Sequence, residues 1–235
     1  MGHDFFKNSR ITVFAGHYGS GKTTLAVNCA LSLKPHVKNV ALCDLDIVNP
    51  YFRTTDAADV LSASGVDLIA SEFANTNVDA PALPASTMRI FDEPGLYSVI
   101  DLGGDDRGAL ALGRYADLIQ NKQGYEMLLV VNKYRPLTRS LPDLLAIKEE
   151  IEAAAKVRFT GIANNSNLGA ETKADDIAAS LDFADEAALA LGLPLKMTSL
   201  DRALLEGVDA EELQNIGKNT PLFPMTIYKK TTWKL

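Results

Sequence analysis

The fold is decided by the stretch Ile11-Thr-Val-Phe-Ala-Gly-His-Tyr-Gly-Ser-Gly-Lys-Thr-Thr-Leu25 near the start of the chain. Its first five residues form an apolar run that is typical of a strand buried in a sheet. Glycines at positions 16, 19 and 21 follow this run, and a helical pattern begins at Thr24. The sequence therefore predicts a strand, a tight glycine-rich loop and a helix in direct succession.

This loop, residues 16–23, matches the pattern G-x-x-x-x-G-K-[ST], and we call it the P-loop. Its glycines let backbone N–H groups point at phosphate oxygens, and the following helix adds the positive end of its dipole. The lysine would bridge the β- and γ-phosphates and act catalytically, and the threonine hydroxyl would ligate Mg²⁺. The predicted nucleotide-binding residues of this segment are Gly16, Tyr18, Gly19, Ser20, Gly21, Lys22, Thr23 and Thr24.

The rest of the chain alternates apolar strand-like runs with amphipathic helical runs. Most strand candidates are continuously apolar, as strands buried on both faces of a parallel sheet are. We predict one α/β domain over residues 1–235, with a three-layer, doubly wound and mostly parallel sheet of seven or eight strands. Residues 80–94 are interpreted as an interrupted helical segment. The strand candidates are residues 11–15, 40–44, 66–70, 97–101, 127–132, 159–164 and 195–198.

Two acidic segments directly follow predicted strands, at the edge where open α/β sheets bind their ligands. In the first, Asp44 is predicted to lie near the metal and Asp46 to orient a water against the γ-phosphate; a solvated loop with a turn before Pro50 is the alternative. In the second, Asp101 is predicted to serve Mg²⁺, and Gly104 to bring its N–H to the γ-phosphate. The predicted metal ligands are Thr23, Asp44 and Asp101.

Charge and composition limit the partners that we expect. The net charge of −7 and the pI near 5.0 disfavour binding to nucleic acid, because an acidic surface repels phosphate backbones. No signal peptide or membrane span is recognisable. Cys29 and Cys43 lie in apolar segments without a CxxC pattern, which predicts buried thiols rather than a metal site. We therefore expect a cytoplasmic protein without a membrane partner.

With these segments in this order, the chain resembles P-loop NTPases of the CobQ/CobB/MinD/ParA type, the MinD-like class, from about residue 11 to 200. The resemblance implies that Asp46 positions the attacking water, Asp101 serves the magnesium and Asn164 reads the adenine edge. ATP and Mg²⁺ are the implied ligands. The segment from Asn164 to Asn167 lacks the aspartate of an N-K-x-D guanine-binding motif, which also favours ATP over GTP.

One position departs from this class. The MinD/ParA branch has a lysine directly after the first P-loop glycine, which reaches the nucleotide of the partner subunit, whereas this chain has His17. We interpret His17 as a solvent-facing loop residue. The C-terminal segment also lacks the amphipathic membrane helix of MinD, because Pro221 and Pro224 interrupt it.

The sequence leaves three functions open. The leading hypothesis is a Mg-dependent ATPase that acts as a nucleotide switch on a protein partner or in a homodimer. The alternatives are an ATP-dependent small-molecule synthetase or kinase of the dethiobiotin-synthetase/CobQ type, and a binding module with negligible turnover. Residues 132–136 either line the site or form a polar loop, and Arg107 is either an arginine finger or part of a surface ion pair.

Overall fold

The computed structural model describes residues 6, 9–45, 57–70, 85–104, 106–121, 124–207, 213, 216 and 220–228. The strands are β1 (Ile11–Ala15), β2 (Asn39–Leu45), β3 (Asp67–Ala70), β4 (Leu96–Leu102), β5 (Tyr125–Val131), β6 (Gly161–Asn164), β7 (Leu195–Asp201) and β8 (Leu222–Met225). The α-helices are α1 (Lys22–Leu33), α2 (Ala58–Ala63), α3 (Arg89–Asp92), α4 (Asp106–Gly113), α5 (Ala116–Asn121), α6 (Leu141–Ala155), α7 (Ala174–Leu191) and α8 (Arg202–Leu205). Short 3-10 helices cover Ala85–Met88, Pro136–Thr138 and Gly169–Glu171.

The strands form one sheet in the order β3-β2-β4-β1-β5-β6-β7-β8. Each neighbouring pair in this described sheet is parallel. Parallel strands require crossover connections, which the intervening helices provide. Because β1 lies in the middle of the sheet between β4 and β5, the P-loop opens at the centre of the carboxyl edge. The predicted doubly wound sheet is confirmed, with eight strands.

Helices cover both faces of the sheet. Successive side chains of a strand point to opposite faces, so Val13 and Phe14 of β1 belong to different layers. Phe14 packs in one apolar cluster with Leu25 of α1, and Val13 packs in the other with Leu144 of α6. None of these four side chains has exposed surface. The helix–sheet–helix arrangement follows, with α1 and the P-loop on the Phe14 side.

The predicted strands all occur, with their ends shifted by a few residues, but β8 was not predicted. Its sequence contains Pro224, which lacks an N–H and argues against a central strand. The strand lies at the edge of the sheet, where Pro224 is the register partner of Leu200 in β7 and one side of the strand needs no partner. In the segment 80–94, the described residues 85–92 form a 3-10 turn and α3, in agreement with the predicted helical segment.

The longest described helix, α7, has clear end signals. The Asp176 carboxylate accepts a hydrogen bond of 2.9 Å from the backbone N–H of Lys173, and Gly192 ends the helix with φ 64°. A left-handed residue at this position is a common helix terminator, and glycine adopts it without a steric penalty. Neither α7 nor any other helix in the described part of the chain combines the length and the apolar character that a membrane span requires.

Both cysteines are free and buried, as predicted. Burial raises the pKa of the Cys29 thiol, and the charge of Glu126 adds to the effect. Burial also raises the pKa of the Cys43 thiol far above its ordinary value, with a further contribution from Asp44. Since the thiolate is the reactive form, these two thiols are inert core residues at neutral pH.

Candidate nucleotide-binding site

The P-loop connects β1 to α1 through backbone conformations that require glycine. Gly21 has φ 93°, a left-handed conformation that residues with a Cβ rarely adopt. A Cβ on Gly16 would lie 2.7 Å from the backbone oxygen of Val130, so the loop leaves β1 in close contact with β5. Tyr18 and Gly19 form the exposed tip of the loop. The glycines therefore let the backbone turn sharply at the centre of the carboxyl edge.

Lys22 is held within the P-loop although it carries a charge. It is the first residue of α1 and is only 5% exposed. Its ammonium group donates a hydrogen bond of 3.2 Å to the backbone oxygen of His17. The His17 ring itself lies outside this contact, with Nδ1 3.1 Å from the backbone oxygen of Tyr18. The lysine charge is thus kept at the loop, where an anion could compete with a neutral carbonyl for it.

The first turn of α1 contains Thr23 and Thr24, which are both half-buried. The Thr24 carbonyl accepts a hydrogen bond of 2.8 Å from the Asn28 side chain. Asn28 also exchanges two hydrogen bonds with the backbone of Thr226, at 2.8 and 2.9 Å. Asn28, in the middle of α1, therefore fixes this helix to the segment that follows β8.

Asp44 and Asp101 are brought side by side by the strand order. They are register partners at the ends of β2 and β4, so their side chains point to the same face of the sheet. Asp101 is also the register partner of Phe14, which packs on the α1 side. Their exposed fractions are 7% and 1%. The two carboxylates therefore share the face on which α1 carries Thr23, as a metal site between these elements would need. Asp46 lies outside the described residues.

The loop after β4 lies directly against the P-loop. A Cβ on Gly104 would lie 2.6 Å from the backbone nitrogen of Tyr18 and 2.9 Å from the backbone oxygen of Gly16. Only glycine permits such an approach between two backbones. The structure therefore brings the predicted γ-phosphate contact, Gly104, to the P-loop. The side chain of Arg107 lies outside the described part of the chain.

Asn164, the predicted adenine contact, has no exposed surface. Its amide nitrogen donates to the hydroxyls of Ser180 and Thr198 at 3.0 and 3.4 Å. Its oxygen accepts from the backbone nitrogen and the hydroxyl of Ser166 at 3.2 and 2.7 Å. An amide offers two donors and two acceptor sites, and all four are occupied by protein groups. Asn164 could contact a base only if some of these bonds broke, so its adenine-binding role stays a prediction.

Asn165 contacts the P-loop, a contact that sequence analysis did not find. Its amide nitrogen donates a hydrogen bond of 2.7 Å to the backbone oxygen of Ser20. The two residues are separated by 145 positions in the sequence, so only the fold brings them together. The run Asn164-Asn-Ser-Asn167 marked this loop as polar, but it contained no signal for which side chain faces the P-loop.

Residues 132–136 act as a polar loop that holds α7. The Asn132 side chain accepts a hydrogen bond of 3.0 Å from the backbone nitrogen of Tyr134. Lys133 donates through Nζ to the backbone oxygen of Ala179 at 2.7 Å, and the Tyr134 hydroxyl donates to that of Asp176 at 2.7 Å. Burial, together with the charge of Asp176, raises the pKa of the Tyr134 hydroxyl, which therefore remains a donor at neutral pH.

Comparison with known proteins identifies the fold. No protein-family model and no curated protein matches the chain. Among solved structures, cell division protein FtsY from Thermotoga maritima has a TM-score of 0.52 at 19% identity, over 81% of this chain and 61% of that one. Chloroplast FtsY from Physcomitrella patens has a TM-score of 0.52 at 18% identity, over 89% and 65%. The fold is that of the P-loop NTPases.

A third structure of this fold carries a nucleotide. The signal recognition particle 54 kDa protein from Aeropyrum pernix K1, solved in complex with GDP, has a TM-score of 0.51 at 17% identity, over 82% of this chain and 42% of that one. This chain spans less than two thirds of the length of each of these three proteins. At these identities the similarity concerns the fold alone.

The residues at this edge of the sheet fit a nucleoside triphosphate with magnesium. The Ser20 hydroxyl in the P-loop is buried and has no hydrogen-bond partner among the described residues. Lys22 supplies a charge for phosphate oxygens, and Asp44 and Asp101 lie on the face of the sheet that is covered by α1, the helix whose first turn contains Thr23. Magnesium is usually held by one or two carboxylates together with substrate phosphates and water, which matches this set of donors.

Proposed function

We propose that this chain binds a nucleoside triphosphate with Mg²⁺ and hydrolyses it. The observation that carries the proposal is the P-loop at the centre of the sheet, with Lys22 held at it and Asp44 and Asp101 in register on the α1 face. Thr23, Asp44 and Asp101 are the residues that would hold the metal. When bound, magnesium neutralises charge that develops on the transferring phosphate.

The residues of this chain would divide the work of binding and hydrolysis. Backbone N–H groups of the P-loop bind and orient the polyphosphate. Lys22 exchanges the His17 carbonyl for phosphate oxygens, which are stronger partners because the new hydrogen bonds join opposite charges. Asp46, which follows β2, orients the attacking water, and Gly104 contributes its N–H at the γ-phosphate.

We further propose that the chain works as a switch of the MinD-like class on a protein partner or a second copy. The close packing of Gly104 on Gly16 and Tyr18 supports this proposal, because a change at the phosphates would be transmitted to the loop after β4. That loop leads into α4, where Leu110 is 57% exposed, and Tyr18 at the P-loop tip is equally exposed. Tyr18, at the tip of the P-loop itself, would be accessible to a protein that covers the site.

The hydrolytic role can be tested by replacing Asp46 with alanine. We expect wild-type protein to hydrolyse Mg–ATP, and Asp46→Ala to lose turnover by about 100-fold or more, since a positioned acid or base contributes about 10²–10⁴-fold. Its affinity for Mg–ATP should stay close to that of the wild type. Asp59→Ala, which removes an exposed carboxylate from α2, is the matched control. Steady-state phosphate release and calorimetric titration provide the two measurements.

The outcome of this assay also separates the alternatives. Unchanged turnover in Asp46→Ala would show that another group positions the water. Tight binding without turnover in the wild type would favour a binding module. A small-molecule synthetase or kinase is favoured by His17 at the position of the class-specific lysine. Product formation that requires ATP and one particular small molecule would establish it in place of the switch.

We propose ATP rather than GTP as the preferred nucleotide. Asn167 stands where an N-K-x-D motif would have its aspartate, and its side chain is engaged locally, with Nδ2 2.8 Å from the backbone oxygen of Asn165 and Oδ1 3.0 Å from the backbone nitrogen of Gly169. Without the carboxylate, guanine loses a charged acceptor that is worth about tenfold in affinity or more. Competition of ATP and GTP for a fluorescent nucleotide should therefore favour ATP. Tighter binding of GTP would contradict this assignment but would leave the proposed phosphate site intact. The Aeropyrum pernix protein was solved with GDP, which has the same base as GTP.

A further inference from the structure

Asn165 links the P-loop to the neighbouring half of the sheet. It directly follows β6 and is 1% exposed. Its backbone nitrogen donates to the oxygen of Val131 at the end of β5 at 2.8 Å, and its side chain reaches both Ser20 and Ser199 of β7. One residue thus joins β5, β7 and the P-loop.

The chemistry of the partners determines the orientation of the Asn165 amide group. The backbone oxygen of Ser20 can only accept a hydrogen bond, so the NH₂ group must face it, at 2.7 Å. The amide oxygen then remains for Ser199, whose hydroxyl can donate to it. Ser199 therefore fixes the amide in the orientation that serves the P-loop.

Holding the Ser20 carbonyl also sets the direction of the next N–H. In a planar trans peptide the C=O and the N–H point in opposite directions. Because the Ser20 oxygen points at Asn165, the N–H of Gly21 must point away from Asn165. A flip of this peptide would reverse both groups and move φ of Gly21 from 93° to about −90°, a value that glycine also adopts. Gly21 by itself therefore does not select between the two orientations.

Gly21 is also what allows Asn165 to approach the loop. A Cβ on Gly21 would lie 2.1 Å from the Asn165 amide nitrogen, far inside any real contact. Gly21 therefore both makes the P-loop conformation possible and makes it less well fixed. It permits the left-handed backbone of the P-loop, and it leaves the Ser20–Gly21 peptide free to flip unless another group holds it.

We propose that Asn165 is a positioning residue that locks the Ser20–Gly21 peptide in the orientation that binds phosphate, and that Ser199 orients Asn165 for this task. The inference rests on the nucleotide-binding function proposed above. In the flipped peptide a carbonyl oxygen would replace an N–H donor of the P-loop and would repel the phosphates. Apparent affinity falls in proportion to the fraction of molecules in the competent orientation, so loss of the lock weakens binding without removing any group that touches the nucleotide.

Asn165→Asp keeps the shape of the side chain and its acceptor for Ser199 but replaces the donor to Ser20 with a negatively charged acceptor. The neutral variant Ser199→Ala is therefore tested beside it, to separate loss of the lock from charge repulsion. Calorimetric affinities for Mg–ATP and Mg–ADP, and the stability of the nucleotide-free protein to urea, are measured for each variant. We expect Asn165→Asp to weaken the binding of both nucleotides by about tenfold or more, because the P-loop amides hold the phosphates that both share and the added carboxylate repels them. Ser199→Ala should cause a smaller loss.

Ser180→Ala is the matched control for Ser199→Ala. Ser180 is also buried, and its hydroxyl donates to Ile177 within α7 and accepts from Asn164. Its removal perturbs the same polar region without altering the amide that faces Ser20. We expect this variant to bind Mg–ATP with an affinity close to that of the wild type, even if its stability to urea decreases.

The possible outcomes separate this inference from the proposed function. Wild-type protein that binds neither Mg–ATP nor Mg–GTP would overturn both. If the wild type binds Mg–ATP and a folded Asn165→Asp variant binds it with the same affinity, the lock alone is overturned. The lock is also overturned if Asn165→Asp is less stable to urea but its folded fraction binds Mg–ATP normally. If Asn165→Asp does not fold, Ser199→Ala decides: weaker binding than in Ser180→Ala supports the lock, and equal binding overturns it.

Discussion

Replacing Lys22 with alanine should weaken the binding of a magnesium–nucleoside triphosphate by about 30-fold or more. Lys22 is nearly buried and donates a hydrogen bond to the carbonyl of His17, so its charge is already at the P-loop before a phosphate arrives. In the complex, the Lys22 ammonium group and a phosphate would form a buried, hydrogen-bonded charge pair. Truncating one partner of such a pair costs about 2–5 kcal/mol of binding free energy, and each 1.4 kcal/mol is about tenfold in affinity. Isothermal titration with Mg–ATP and Mg–GTP measures the effect directly.

The control for this experiment comes from the same helix. Lys34 caps the other end of α1, where its exposed ammonium group donates to the backbone oxygen of Lys38. Lys34→Ala removes an equal charge about 18 Å away along the helix and should leave affinity unchanged. Thermal unfolding without nucleotide verifies that both variants are folded. If Lys22→Ala bound a triphosphate as tightly as Lys34→Ala, the phosphate site would have to lie elsewhere.

The P-loop and the central strands could be predicted because their signals are local. The glycines, Lys22 and Thr23 are contiguous, and the preceding strand is an uninterrupted apolar run. The edge strand β8 could not be predicted in the same way. Pro224 is tolerated because one side of β8 has no neighbouring strand in the described sheet. This position follows from the strand order, which is a property of the whole sheet.

Strand order also explains why the carboxylate pair could be proposed but not located. The sequence indicated that Asp44 and Asp101 each lie at the carboxyl end of a strand. It did not indicate that β4 lies between β2 and β1, which makes the two aspartates register partners on the face of α1. Neighbours in a parallel sheet need not be consecutive in the chain, because each crossover can pass over another strand.

The loop after β6 shows the limit of sequence analysis most clearly. The motif drew attention to Asn164, whereas the contact with the P-loop is made by Asn165. Successive residues leaving a strand point to opposite sides, so an error of one position changes the surroundings completely. The partners that distinguish the two side chains, Thr198 and Ser199, come from β7 and are far away in the sequence.

Gly104→Ala should also weaken triphosphate binding, because Gly104 couples the P-loop to the loop after β4. Gly104 does not have a positive φ, so an alanine would not strain its own backbone. The added Cβ would instead lie 2.6 Å from the backbone nitrogen of Tyr18, and the two loops would have to separate. Overpacking of this kind costs about 1–3 kcal/mol, which corresponds to about 5- to 150-fold in triphosphate affinity if the P-loop absorbs the shift.

The matched control is Gly207→Ala, whose added Cβ would meet only the backbone oxygen of Leu204 at 3.8 Å, an ordinary contact. Calorimetry and steady-state turnover are measured for both variants. We expect affinity and turnover to fall together in Gly104→Ala and to stay unchanged in Gly207→Ala. If turnover decreased and affinity did not change, the loop after β4 would have moved and the P-loop would not. Gly104 would then contribute only to the reaction at the γ-phosphate. If Gly104→Ala had the affinity and the turnover of the wild type, the contact between the two loops would not couple them. The switch proposal would then lose its physical basis.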